Sequence, residues 1–124
     1  DLQQALASSE KSIQLDALNA QGYFVKGLIL INLNQLSLAE QAIRRALFLD
    51  KEFVEAYYYL GFLLLRQHQM AKGIKNLQMA LRKAQEKPRD QKMHLTGVTF
   101  AEFMVTLKRE IEIRVKEIKE DWRE

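Results

Sequence analysis

Apolar residues recur at steps of three and four along most of this chain, the spacing that gathers them on one face of an α-helix. Short polar stretches interrupt the pattern and divide it into helices near 2–15, 19–33, 37–49, 53–67 and 71–85, followed by a last helix over 98–124. Asn34-Gln35 and Gln67-His68-Gln69 read as tight turns between neighbouring helices. Lys87-Pro88-Arg89-Asp90 stops the fifth helix, because proline has no N–H to donate and disfavours helix in the residue before it. Residues 86–97 therefore read as a linker, and Thr99-Phe100-Ala101-Glu102 has the spacing of a capping box that opens the last helix. The apolar stripe of that helix is Phe103, Met104, Leu107, Ile111, Val115, Ile118 and Trp122. From Lys108 onward 12 of 17 residues are charged, with Glu110/Arg114 and Glu112/Lys116 placed to pair one turn apart. Its first half should dock on the preceding helices and its distal half project. The predicted class is all-α.

The pattern also repeats in size. Gly27 and Gly61 are 34 residues apart, and in that register Tyr23 matches Tyr57, Leu30 matches Leu64, Ala39 matches Gly73, Ile43 matches Leu77 and Ala46 matches Ala80. One period earlier Ala5 and Ser12 take the places of Ala39 and Ala46. A glycine inside a helix costs about 0.5–1 kcal/mol relative to alanine, so Gly27 and Gly61 need a close-packing reason. In spacing and residue size the chain resembles the tetratricopeptide repeat, a helix–turn–helix unit of about 34 residues. The resemblance covers residues 1–85: a half unit over 1–16 and full units near 20–51 and 54–85. It implies an α-solenoid of antiparallel hairpins, closed by the last helix as a cap. A third full unit is not expected, since Leu95 stands where the next glycine would fall. Ala17 and Lys51 stand where the family often has proline.

Composition narrows the chemistry. Of the 124 residues 48% are apolar and 28% charged, with one proline, five glycines and no cysteine, which suits a helical globular chain and excludes disulfides and thiol catalysis. The apolar stretch Gly27–Leu33 is far shorter than the ~20 residues that span a bilayer, so no membrane segment is expected. A chain that opens on Asp1 is expected to be a piece of a longer one. The net charge is +3, and the excess lies in residues 52–85, mostly on Lys72, Lys75, Arg82 and Lys83. No aromatic residues interleave with it, so it reads as a solvated helix face and not a nucleic-acid site. Val25-Lys26-Gly27 and Ala71-Lys72-Gly73 hold one glycine each within a helix, which is no phosphate loop. His68 and His94 are far apart, against a histidine metal site, and His68 falls in a turn. Glu52 and Glu55 sit on an exposed helix start, where acids favour the helix dipole. No catalytic, cofactor-binding or metal-ligating residue is expected, and the chain is not an enzyme by itself.

In tetratricopeptide arrays the first helix of each unit lines a concave groove. Carried onto this chain, the groove positions are Gln21, Phe24, Leu28, Ile31 and Asn32 in one unit and Glu55, Tyr58, Phe62, Leu65 and Arg66 in the next. Such a wall, apolar at its centre, implies a protein or peptide partner, with an amphipathic helix or extended segment as the natural shape. The chain's own last helix, an absent upstream helix or a foreign partner would each cover it.

The run from Arg45 to Gln67, with Ala46-Leu47-Phe48-Leu49-Asp50 and Tyr57-Tyr58-Tyr59-Leu60-Gly61, narrows the likeness. It is similar to the tetratricopeptide tail of bacterial CheR-type chemoreceptor glutamate methyltransferases, over about residues 40–107. Lys51 replaces the usual proline of such tails and His68 the usual turn glycine. That resemblance implies a cytoplasmic regulatory module, with an S-adenosylmethionine-binding catalytic domain outside this chain. Its partner would be the chemoreceptor cytoplasmic domain, another signalling protein or that catalytic domain. A tetratricopeptide adaptor of another bacterial assembly, such as secretion or pilus biogenesis, is the alternative. A third possibility is an oligomerisation element that pairs through the last helix.

Overall fold

The computed structural model describes residues 1–93 and 96–123, with side chains through Glu120. Expectations placed on His94, Leu95 and Trp122 fall outside the described residues and side chains. The helices are α1 (Leu2–Leu15), α2 (Ala20–Asn32), α3 (Leu36–Leu49), α4 (Val54–Arg66), α5 (Met70–Gln85) and α6 (Phe100–Arg123). Each packs on the next in chain order, as expected of a solenoid of hairpins. No described helix is long and apolar enough to cross a membrane.

The two central glycines occupy equivalent places. A Cβ on Gly27 would come within 2.6 Å of Ile43 Cγ1 and 3.4 Å of the Ala39 carbonyl oxygen. On Gly61 it would come within 2.9 Å of both Leu77 Cδ2 and the Gly73 carbonyl oxygen. Ile43 and Leu77, like Ala39 and Gly73, are the pairs that the 34-residue register aligns. The glycines are what let α2 meet α3 and α4 meet α5 at backbone distance.

The turns follow the same template. Within each hairpin the first helix ends in a Schellman motif. Asn34 donates to the Ile31 carbonyl at 2.9 Å and Gln35 to that of Leu30 at 2.9 Å; His68 and Gln69 donate likewise to Leu65 and Leu64 at 3.1 and 2.9 Å. The left-handed residues are Asn34 (φ 60°) and His68 (φ 62°). Asparagine tolerates that conformation and histidine less so, with a penalty for non-glycine residues of about 1–2 kcal/mol. Glycine would remove that penalty at an entropic cost of about 0.5–1 kcal/mol. His68→Gly is therefore expected to stabilise the chain by about 0.5–1 kcal/mol in urea unfolding. Between units, the carboxylates of Asp16 and Asp50 accept from the backbone N–H of Leu18 and Glu52 at 3.1 and 3.0 Å. These side-chain turns do the work of the missing prolines. The Lys83 ammonium donates to Glu52 Oε1 at 2.9 Å, tying α5 to the second of them. That hydrogen bond holds the Glu52 carboxyl below its usual range, so its contribution disappears as pH falls through the folded-state value.

The core is built as two clusters that meet at α4. One gathers Phe24, Leu30, Ile43, Leu60, Leu63 and Leu64 from α2–α4. The other joins Val54, Leu77 and Ala80 to Phe100, Met104, Leu107 and Ile111 of α6. The proximal half of α6 is thus docked on α5, and Val115 of its distal half packs against the same cluster, while Ile113, off the stripe, is 47% exposed. The segment before α6 is mostly exposed but is pinned at Met93. Met93 is 4% exposed, and its N–H donates to the Val98 carbonyl at 2.8 Å beside an antiparallel bridge between Lys92 and Thr99. Thr99 Oγ1 then accepts from the Glu102 N–H at 3.2 Å and caps α6.

Candidate functional site

The first helices of the two hairpins, α2 and α4, carry all ten positions expected on the groove wall. Gln21, Asn32, Phe62 and Arg66 are exposed, and Leu28, Ile31, Tyr58 and Leu65 half-buried. The Arg66 guanidinium lies 5.9 Å from the Phe62 ring centroid, and the Asn32 amide donates back to the Leu28 carbonyl at 3.0 Å. Leu65 leans towards α5, since its Cγ lies 2.8 Å from where a Gly73 Cβ would be.

Two of the ten stand elsewhere than on an open wall. Phe24 is 0% exposed, with its ring centroid 4.9 Å from Phe53 and 5.6 Å from Tyr59. It belongs to the core because the next hairpin brings those two rings over it. Glu55, expected on an exposed helix start, is 8% exposed. It borders clefts that are also lined by Gln91, Lys92, Met93, Val98 and Phe103, residues distant from it in sequence.

Two clefts lie beside α4. One, of ≈ 250 Å3, lies among Glu55, Tyr58, Tyr59, Val98, Phe103 and Thr106. The rings of Tyr58 and Phe103 meet edge to face at 5.5 Å, and those of Tyr58 and Tyr59 at 5.3 Å. Burial raises the Tyr58 phenol above its ordinary value, with the Glu110 carboxylate adding to the shift. The second cleft, of ≈ 260 Å3, opens on the other side of Glu55 between Gln21, Phe53, Lys87 and Lys92. Own-chain cover is therefore partial. α6 reaches Tyr58 but leaves Phe62 at 37% exposure.

Sequence reasoning missed Tyr59, Phe53 and Phe103 as neighbours of the wall. Tyr59 has Val25 as its repeat counterpart, so the register carried no aromatic signal there. Phe103 was visible as part of the α6 stripe, but its landing place was not. Among the described residues no three metal-ligating side chains come together. The arrangement offers apolar and aromatic surface, the Glu55 side chain between two clefts and polar ends.

No protein-family profile matches this chain, and no curated protein sequence does. Solved structures do. The type III secretion translocator chaperone SycD of Yersinia enterocolitica is similar with a TM-score of 0.82 and 15% identity, over 95% of this chain and 74% of that one. A MamA structure gives a TM-score of 0.62 and 21% identity, over 95% of this chain and 61% of that one. A second MamA structure gives 0.62 and 17%, over 99% and 72%. Identities this low speak to the fold alone. The chain is an all-α protein whose antiparallel helices pack as tetratricopeptide-like repeats.

Proposed function

We propose that the chain is a protein-interaction module that holds a polypeptide segment against the wall formed by α2 and α4. In this reading it serves as an adaptor or chaperone-type scaffold in a bacterial assembly such as secretion. The observation that carries it is the exposed phenylalanine Phe62, with the half-buried apolar residues Leu28 and Ile31 on the same pair of helices. A large aromatic residue left 37% exposed beside half-buried apolar neighbours suits a contact surface. The likeness to a translocator chaperone supports the adaptor reading over the alternatives. The narrower reading, a regulatory tail of a chemoreceptor methyltransferase in the cytoplasm, rests on the resemblance of residues 40–107 alone. A glycine-rich nucleotide-binding motif followed by strands, encoded upstream of Asp1, would favour it.

Selection of phage-displayed random dodecapeptides on residues 1–124 tests the module directly. Enriched peptides should bind in calorimetry and lose at least tenfold in affinity with Phe62→Glu or Ile31→Glu. They should keep it with Leu38→Glu, an exposed position on α3. Enrichment of no peptide, or of peptides indifferent to Phe62 and Ile31, would overturn the proposal.

A further inference from the structure

A further pair of clefts repeats at the 34-residue interval. One, of ≈ 510 Å3, lies between α1 and α3 over α2, and the other, of ≈ 360 Å3, between α3 and α5 over α4. Every residue lining the α3–α5 cleft has its repeat counterpart in the lining of the α1–α3 cleft. The floors match: Tyr23 and Leu30 in one, Tyr57 and Leu64 in the other. The banks do not. Where the α1–α3 cleft has Glu10, Leu38 and Gln41, the α3–α5 cleft has Arg44, Lys72 and Lys75. A cleft of the same build stands without those cations, so helix packing does not call for them.

The cations flank an apolar floor from both sides. Arg44 comes from α3, Lys72 and Lys75 are neighbours one turn apart on α5, and all three are exposed. Arg44 gives its Nε to Glu40 at 2.9 Å, which leaves the other guanidinium donors for a second acceptor. Neither lysine enters an ion pair among the described residues, and no acidic residue lines the cleft. Like charges this close repel, and an anion between them relieves the repulsion. Beneath them Leu64 is buried, and the Tyr57 hydroxyl already donates to the Lys51 carbonyl at 2.9 Å, which leaves its ring as surface. The half-buried Met79 thioether and the lysine stems extend that apolar surface. Carboxylates on either side of an apolar side chain complement both features, whereas a phosphodiester chain complements the cations alone.

We infer that the α3–α5 cleft binds an acidic segment of a partner polypeptide. Its carboxylates pair with Arg44, Lys72 and Lys75, and an apolar side chain between them rests on Tyr57, Leu64 and Met79. The surface is separate from the wall, because Tyr57 and Leu64 stand roughly 140–160° round α4 from Phe62 at 3.6 residues per turn. The positive excess of residues 52–85 is then a recognition feature as well as a solvated face.

The test is an NMR titration of residues 1–124 with acetyl-Glu-Leu-Glu-Glu-Leu-Glu-amide at about 20 mM sodium chloride, where exposed charges are weakly screened. The comparisons are the same peptide with glutamine for glutamate, the same peptide with alanine for leucine, inorganic phosphate and a thymidine dodecanucleotide. The acidic peptide should give saturable shifts at the Tyr57, Lys72, Lys75 and Asn76 amides. Its affinity should fall at least tenfold at about 300 mM salt. Lys72→Gln/Lys75→Gln should also weaken it at least tenfold. Arg82→Gln/Arg89→Gln, which removes two exposed charges outside the cleft, should change it less than twofold. Equal losses in the two double variants would overturn the inference, leaving general charge attraction. So would undiminished binding of the glutamine or the alanine peptide, phosphate shifts equal to the peptide's (an adventitious ion only), or the absence of saturable shifts up to tens of millimolar. Tighter binding of the dodecanucleotide than of the peptide would overturn it in favour of nucleic acid. The peptide selection, run at about 300 mM salt, reports on the wall alone, so either surface can fail without the other.

Discussion

Phe24→Ala is expected to lower the free energy of unfolding by about 3–5 kcal/mol, the range for a buried phenylalanine whose site cannot collapse. Phe24 has no exposed surface and lies against Phe53 and Tyr59, so its ring joins the first hairpin to the second. Neighbouring helices are fixed to each other by their own turns, which limits how far they can close over the void. The edge-to-face geometry adds about 0.5–1.5 kcal/mol beyond area burial, and alanine forfeits that as well. Phe62→Ala, by contrast, should cost less than about 1 kcal/mol, since its ring is already 37% in water. Urea unfolding followed by circular dichroism separates the two. Equal, small losses would put Phe24 on the open wall, where repeat position alone would have it.

The second large effect is expected at Gly61. Gly61→Val should cost about 3 kcal/mol or more, because the new Cβ meets a backbone oxygen of Gly73 at 2.9 Å as well as the Leu77 side chain. A backbone carbonyl cannot rotate away, and separating α4 from α5 would open the cluster that Val54 shares with Leu77, Ala80 and α6. Gly27→Ala meets a different obstacle, Ile43 Cγ1 at 2.6 Å, which is a side chain. Valine would keep a Cγ at that place, so the test uses alanine: Gly27→Ala should cost less in an Ile43→Ala background than in the native one. Shortening Leu77 beside Gly61→Ala should recover less. The pair of double variants, measured by the same unfolding assay, asks whether two positions of one template are closed by different atoms.

The hairpins were legible in the sequence because their packing is local. Gly27 and Ile43, or Gly61 and Leu77, are joined by one turn, and a size pattern at a fixed period records such contacts. The turns were half legible. Asp16 and Asp50 recur at the 34-residue interval, and their role became visible only with the carboxylates bonded across the turn. The wall was harder to read. Phe24 and Tyr58 share one repeat position but meet different neighbours. One has the rings of α4 over it, and the other meets Phe103 of α6, a helix that enters after a longer connection and out of register. Glu55 was misplaced for the same reason: Met93, Val98 and Phe103 line the cleft beside it from about forty residues further on, and no periodicity reports such a neighbour.

In the proposed function α2 and α4 form one wall that holds a polypeptide. The most direct measurement is a methyl-detected NMR distance map of residues 1–124 in complex with a selected dodecapeptide. Intermolecular contacts from the peptide to the methyl groups of Leu28 and Ile31, together with the Phe62 ring, are the predicted result. Contacts confined to Leu38, Ala42 and Met79 on α3 and α5 would contradict it.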